Sequence, residues 1–206
     1  MRTPRATRRG AAALTLTAAL GLATVLSGSA GPRNGSPSGV DGQATTGCAS
    51  PAAAPSPIET AGTTMYGSIG ALDQALAEIQ HAAEGRFADV FAGVLVVSEK
   101  GHAIVYRVRS AEFDAYAESV SGGQCLYLRD ADHSQATLLA LTMRISGDTA
   151  YWREQGIVVH MVGPRHDGSG VTVGVEQVER ARVELPKRYG TQIPIEVEES
   201  AGRVLL

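Results

Sequence analysis

Apolar residues recur at helical spacing twice along the chain, and each time two short apolar runs, a second helical stretch and a further apolar run follow. Ile69, Leu72, Leu76, Ile79 and Ala83 mark one helix face, and Leu138, Leu141 and Ile145 mark another about 66 residues later. Behind the first comes Gly93-Val94-Leu95-Val96-Val97 and behind the second the run 156–162, both short and β-branched, which predicts strands. Turn residues Glu99-Lys100-Gly101-His102 lead into a strand over 103–108, and the longer loop 163–170 leads into 171–175, so two hairpins are expected. Phe113, Tyr116 and Val120 then give a short amphipathic helix capped by Ser110, matched by Val178, Ala181, Leu185 and Tyr189. Pro186 falls in the last turns of that second helix and should bend or weaken it. Strands over 125–128 and 193–197 close the two copies, and Pro194, which lacks a ladder donor, assigns the last one to a sheet edge.

The pattern predicts an α+β fold of two tandem αββαβ repeats, residues 60–130 and 131–206. Read from Cys125 onward it becomes βαββαβ, the order of a ferredoxin-like module with antiparallel sheets and helices packed on one face.

The first sixty residues follow other rules. Residues 1–10 are basic, 11–26 are apolar and rich in Ala and Leu, and 27–30 are small, which predicts a signal peptide over 1–30 with cleavage after Ala30. Roughly 16 helical residues reach about 24 Å, short of the roughly 30 Å hydrocarbon layer, so a membrane anchor is disfavoured. Thr7-Arg8-Arg9 resembles a twin-arginine opening, but Gly10-Ala11-Ala12-Ala13 lacks the bulky apolar continuation, which favours the general secretory route. In Leu26-Ser27-Gly28-Ser29 a serine stands where a lipobox carries its acylated cysteine, and a hydroxyl cannot form the thioether, so lipid anchoring is not expected. Residues 31–59, dense in Gly, Pro, Ser, Ala and Thr and without an aromatic residue, read as a disordered linker.

Removing the signal changes the charge. The chain has 18 basic and 21 acidic residues, and four of the basic ones are Arg2, Arg5, Arg8 and Arg9. A product with 14 basic and 21 acidic groups has a net charge of about −7 and is a poor match to nucleic acid.

Candidate chemistry is sparse. The loop Arg165-His166-Asp167-Gly168-Ser169 holds the residue types of a catalytic triad, but adjacent side chains in a tight turn rarely satisfy both nitrogens of the histidine, and Asp167-Gly168 is a hairpin-turn signal. Asp130, Asp132 and His133 are possible metal ligands in front of a helix that they and Ser134 more simply cap, and His81 and Glu84 make a helix-face pair without further ligands. His160 sits on a strand of Ile, Val and Met. Cys48 and Cys125 allow one disulfide, but the one falls in the expected linker and the other in an expected strand, so a buried, inert Cys125 is favoured. Tyr151-Trp152 is either an exposed aromatic anchor for a partner or, more commonly beside a strand, core. No cofactor, metal or catalytic residue is assigned.

The order of elements, with Phe91-Ala92-Gly93-Val94 in the first hairpin and Gly170-Val171-Thr172-Val173 in the second, resembles the pro-regions of secreted bacterial serine proteases of the alpha-lytic and streptogrisin type, over about residues 66–198. The resemblance implies a non-enzymatic module that assists the folding of such a protease and then inhibits it, engaging its cleft through Arg203, Val204, Leu205 and Leu206. No protease domain follows in these 206 residues, so action in trans is expected and no catalytic residue carries over. Glu196, Glu198 and Glu199, just before that tail, ask for a basic or apolar partner surface. Two other readings stay open. One is a secreted small-ligand binder or enzyme with a site between the repeats using His160, His166 or the acidic groups near Asp130; the other is a cell-envelope structural protein.

Overall fold

The computed structural model describes residues 43–51 and 53–201. The expected signal peptide and Arg203, Val204, Leu205 and Leu206 lie outside the described residues.

Strand β1 (Gln43–Ala44) is followed by a 3-10 turn, a hairpin of β2 (Pro57–Thr60) and β3 (Thr63–Tyr66), and then helix α1 (Gly70–Ala83), β4 (Phe91–Val97), β5 (His102–Arg107), α2 (Ala111–Val120) and β6 (Leu126–Asp130). The second half carries α3 (Gln135–Gly147), α4 (Thr149–Glu154), β7 (Val159–Pro164), β8 (Val171–Val175), α5 (Val178–Tyr189) and β9 (Ile195–Glu199). The helical and strand periodicities therefore fall where they point. Leu72, Leu76 and Ile79 of α1 are buried with Phe91, Val105, Phe113, Leu126 and Leu128. Leu138, Leu141 and Ile145 of α3 are buried with Val171, Val173, Ala181, Leu185 and Val197. Ser110 caps α2 by accepting the Phe113 N–H at 3.2 Å, and Ser134 caps α3 by accepting that of Thr137 at 3.3 Å. Helix α5 runs through Pro186 to Tyr189, one turn beyond the point where the missing N–H is felt.

The ladders differ from expectation. The first sheet has the order β1-β6-β5-β4 and the second β7-β8-β9. Within each, the hairpin is antiparallel, but β5 pairs with β6, and β8 with β9, in parallel. The sheets are thus mixed rather than antiparallel. A ferredoxin-like module keeps its second βαβ split by inserting the first strand between the two parallel ones. Here β6, which would be that strand for the second half, is held by β5 and β1 in the first sheet, so β8 and β9 close directly on each other. The β9 edge position expected from Pro194 is observed.

Two further corrections concern the segment expected to be a disordered linker. Cys48 and Cys125 form a disulfide, so Cys125 is not a free buried thiol. Gln43 and Ala44 pair with Leu128 and Tyr127, and buried Thr45 extends that pairing: its hydroxyl accepts the Leu126 N–H and donates to the Gln124 carbonyl, both at 2.9 Å. A side-chain oxygen here replaces a ladder carbonyl, and the composition of the segment gave no sign of it. The β2–β3 hairpin, also outside the expected elements, presents Ile58 and Met65 to solvent as a cross-strand pair.

Candidate functional site

Loop 163–170 joins the two halves. The Arg165 N–H donates to the Gly170 carbonyl at 2.9 Å and the Gly168 N–H to the Arg165 carbonyl at 3.1 Å, which folds the loop tightly on itself. Ser169 donates both its hydroxyl and its backbone N–H to Asp167, at 2.7 and 3.1 Å, while its oxygen accepts from Arg165 Nε at 2.7 Å. The hydroxyl proton thus faces a carboxylate, and His166 turns away to stack edge-on against Tyr106 with ring centroids 5.7 Å apart. His, Asp and Ser are adjacent in sequence without being a relay, because no imidazole nitrogen reaches the serine. Asp167-Gly168 lies in the turn between β7 and β8, where the Asp-Gly signal put it.

Its fit against the first half depends on two glycines. The His166 carbonyl lies against Gly93 so closely that a β-carbon there would overlap its oxygen and stand 2.9 Å from its carbon. Gly168, at φ +73°, has room for no β-carbon: one would stand 2.5 Å from Ala131 Cβ, 2.7 Å from the His133 carbonyl oxygen and 2.9 Å from Ala92 Cβ. The Gly168 carbonyl accepts the His133 N–H at 3.1 Å and completes the contact.

Asp167 is the titrating group of the loop. Burial pushes its carboxyl up, but the Ser169 donors and the Arg165 guanidinium outweigh burial and hold it at about 2. Because the folded value lies below the ordinary 3.8, its contribution is fully present above that value and is lost as pH falls toward about 2. The full linkage would be at most about 2.5 kcal/mol. Solvent screening, with Arg165 38% exposed, reduces it to about 1 kcal/mol. Urea unfolding at pH 5 and pH 2 should therefore show the parent losing about 1 kcal/mol more than Asp167→Asn over that interval; equal losses would remove the loop from the acid sensitivity.

A cleft of about 610 Å³ runs along the open edge of β4, between the end of α1 and the start of α3. Phe91, Val94 and Leu139 supply its apolar lining, and Glu84, Arg165 and His166 its polar one. Of the groups expected between the halves, His166 lines this cleft and neither His160 nor Asp130 does. His160 instead pairs with Glu176 at 2.9 Å, and Asp130 pairs with Arg107 and Arg109, which hold its carboxyl below the usual range. Among the described residues no cluster of three His, Cys, Asp or Glu side chains is placed to hold a metal ion. His81 and Glu84 face each other at 3.8 Å on an exposed helix surface.

Trp152 and Tyr151 part company. Trp152 is 2% exposed, lies in the second core, and donates its indole N–H to Tyr189 Oη at 2.8 Å, so it is core rather than an anchor for a partner. Tyr151 is 38% exposed, with Arg188 stacked 3.9 Å over its ring. Asp148 fixes that stack by accepting from Arg188 Nε and Tyr189 Oη, each at 2.8 Å, and the two donors hold its carboxyl below the ordinary range.

The remaining candidate surface is the end of the second sheet. Among the described residues β9 has one ladder neighbour, β8. Val197 points into the core while Glu196, Glu198 and Glu199 are exposed, and the Ser200 N–H, bonded to the Val175 carbonyl at 2.9 Å, is the last ladder contact before Ala201. At the class level the described residues form a mixed α+β fold of several sheets and five helices, with a disulfide and with outer strands that have one ladder neighbour each among the described residues. No family model, curated protein or solved structure matches it. No described helix is long and apolar enough to cross a membrane.

Proposed function

We propose that the protein is a secreted, non-enzymatic protein-binding module, an inhibitor or folding assistant of an extracellular serine protease acting in trans, built on two tandem αββαβ repeats. The observation that carries this reading is the position of β9, which has one ladder neighbour among the described residues and is followed in sequence by Arg203, Val204, Leu205 and Leu206. An edge strand offers unpaired N–H and C=O groups to an incoming strand, and a following run of apolar side chains offers alternating anchors for pockets. The disulfide supports export to an oxidising compartment. The engagement of the Ser169 hydroxyl with Asp167 and Arg165, rather than with a histidine, favours binding over hydrolysis.

Inhibition of alpha-lytic and streptogrisin-type proteases by the chain from Gly31 onward tests the reading. Saturable inhibition is expected, and a chain ending at Ser200 should be at least about tenfold weaker, the effect of losing one or two buried apolar anchors. Failure of both to inhibit or to speed refolding of any such protease overturns it.

A further inference from the structure

The two larger sheets have four outer strands, and three of them are guarded against a second copy of the chain. Strand β1 is two residues long, β7 is bulged between Val159 and Met161 and ends in Pro164, and β9 would set Glu196, Glu198 and Glu199 against the same glutamates. The fourth, β4, is the longest of the described strands and consists of Phe, Ala, Gly, Val and Leu alone. Its irregularity, between Phe91 and Gly93, falls at the end that the His166 carbonyl covers. Beyond that end β4 has one ladder neighbour among the described residues, β5, and Leu95 and Val96 are 39% and 42% exposed. A strand edge without a charge, a proline or a cover is one that native sheets ordinarily avoid unless another strand pairs with it.

The ladder with β5 fixes the faces of this edge. Val94 and Val96 sit opposite Val105 and Ala103, which are buried with α1 and α2, while Leu95 sits opposite Ile104 on the other face. Val94 also lines the cleft beside α3, together with Phe91 and Leu139. Val94, Leu95, Val96 and Val97 offer no charge and no side-chain hydrogen bond by which a foreign sequence could be selected. The chain from Gly31 onward has 14 basic and 21 acidic residues, so two copies repel on average and meet best where no acidic group faces another. Pairing β4 with itself meets that condition. We propose that β4 is a homodimer interface, joined antiparallel to β4 of a second copy about a twofold axis through Leu95. Opposed residues of an antiparallel pair share a face, so this axis sets Val94 of each copy against Val96 of the other on the helix side, at the cleft, and Leu95 against its equivalent on the other side. The exposed Val96 thereby gains an apolar neighbour, and the two four-stranded sheets become continuous. The contact uses no residue of β9 or of the segment after it, so it stands or falls separately from protease inhibition.

The test is sedimentation equilibrium of the chain from Gly31 onward, with 15N–1H spectra of each variant to establish that it is folded. The contact is smaller than a standard interface, so a reversible monomer–dimer equilibrium with a dissociation constant of about 100 μM is expected. Val96→Lys places a charge on the edge at an already exposed position and should raise that constant at least about tenfold. Leu95→Lys, on the opposite face of the strand, should do the same and serves if Val96→Lys does not fold. Val183→Lys, at a position 53% exposed on α5, is the control and should leave it unchanged. A parent that stays monomeric up to about 1 mM overturns the interface and leaves the edge to a foreign strand. Dimers unchanged by both edge lysines, or weakened equally by Val183→Lys, overturn the assignment to β4, and growth beyond the dimer overturns the closed twofold pairing.

Discussion

Replacing Cys48 and Cys125 together by alanine is expected to lower the stability of the folded region by about 4 kcal/mol. The two cysteines are 77 residues apart in sequence, and closing a loop of that size in the unfolded chain removes entropy equivalent to about 4.5 kcal/mol in the chain-entropy description. Native contacts offset little of this, since Cys125 lies within a packed surface of Ala92, Ile104, Tyr106 and Tyr127, where two alanines leave a small cavity. For a domain of this size the change corresponds to a fall in Tm of roughly 10–15 °C. Local order should respond as well. Without the crosslink, the segment retains its two-residue ladder, the Thr45 bonds and the exposed bonds of Thr46 to the Glu118 carboxylate, so amide exchange at Thr45 and Cys48 should rise toward that of an unfolded strap while α1 and α3 remain protected. If thermal unfolding of the alanine pair falls within about 1 kcal/mol of the parent, Thr45 and its neighbours hold the segment unaided and the crosslink is incidental to stability.

The same segment shows what the sequence discloses and what it hides. Elements whose signal is periodicity, such as the Leu72/Leu76/Ile79 face or the β-branched run of β8, are legible because burial repeats along a short stretch of chain. Gln43–Ala49 is ordered by partners about eighty residues away, Leu126, Gln124 and Cys125, and its composition of small Ala, Thr and Gly residues carries no trace of them. Strand sense is hidden for a related reason. The order βαββαβ is compatible with an antiparallel sheet only if β6 enters the second sheet, and its capture by β1 and β5 is decided by pairing energies that alternation cannot rank. Of the candidate chemistry, the turn character of Asp167-Gly168 was legible because it is local. The arginine cluster was not. Arg107 and Arg109 come together on Asp130 through the parallel register Arg107↔Asp130, which only the fold supplies.

Gly93→Ala and Gly168→Ala should each destabilise the protein by about 3 kcal/mol, far beyond an ordinary glycine-to-alanine change, which lies near 1 kcal/mol or is favourable. At Gly93 the cause is steric: the methyl group would overlap the His166 carbonyl, and since a backbone group cannot rotate aside, the whole 163–170 loop must retreat. At Gly168 two effects act together, a left-handed φ of +73° and overlap with Ala131, His133 and Ala92. Both substitutions strike the joint between the halves rather than either core, so unfolding is expected to lose cooperativity. The second half, with its core around Leu138, Trp152 and Leu185, should unfold separately from the first, giving two transitions where the parent gives one. Gly163→Ala, in the same loop region but with no atom within 4 Å of the added methyl and no positive φ, is the control and should stay within about 0.5 kcal/mol of the parent. A single transition and small losses in both variants would mean that the halves are held together elsewhere, and the contacts between α3 and β4 would then be the remaining joint.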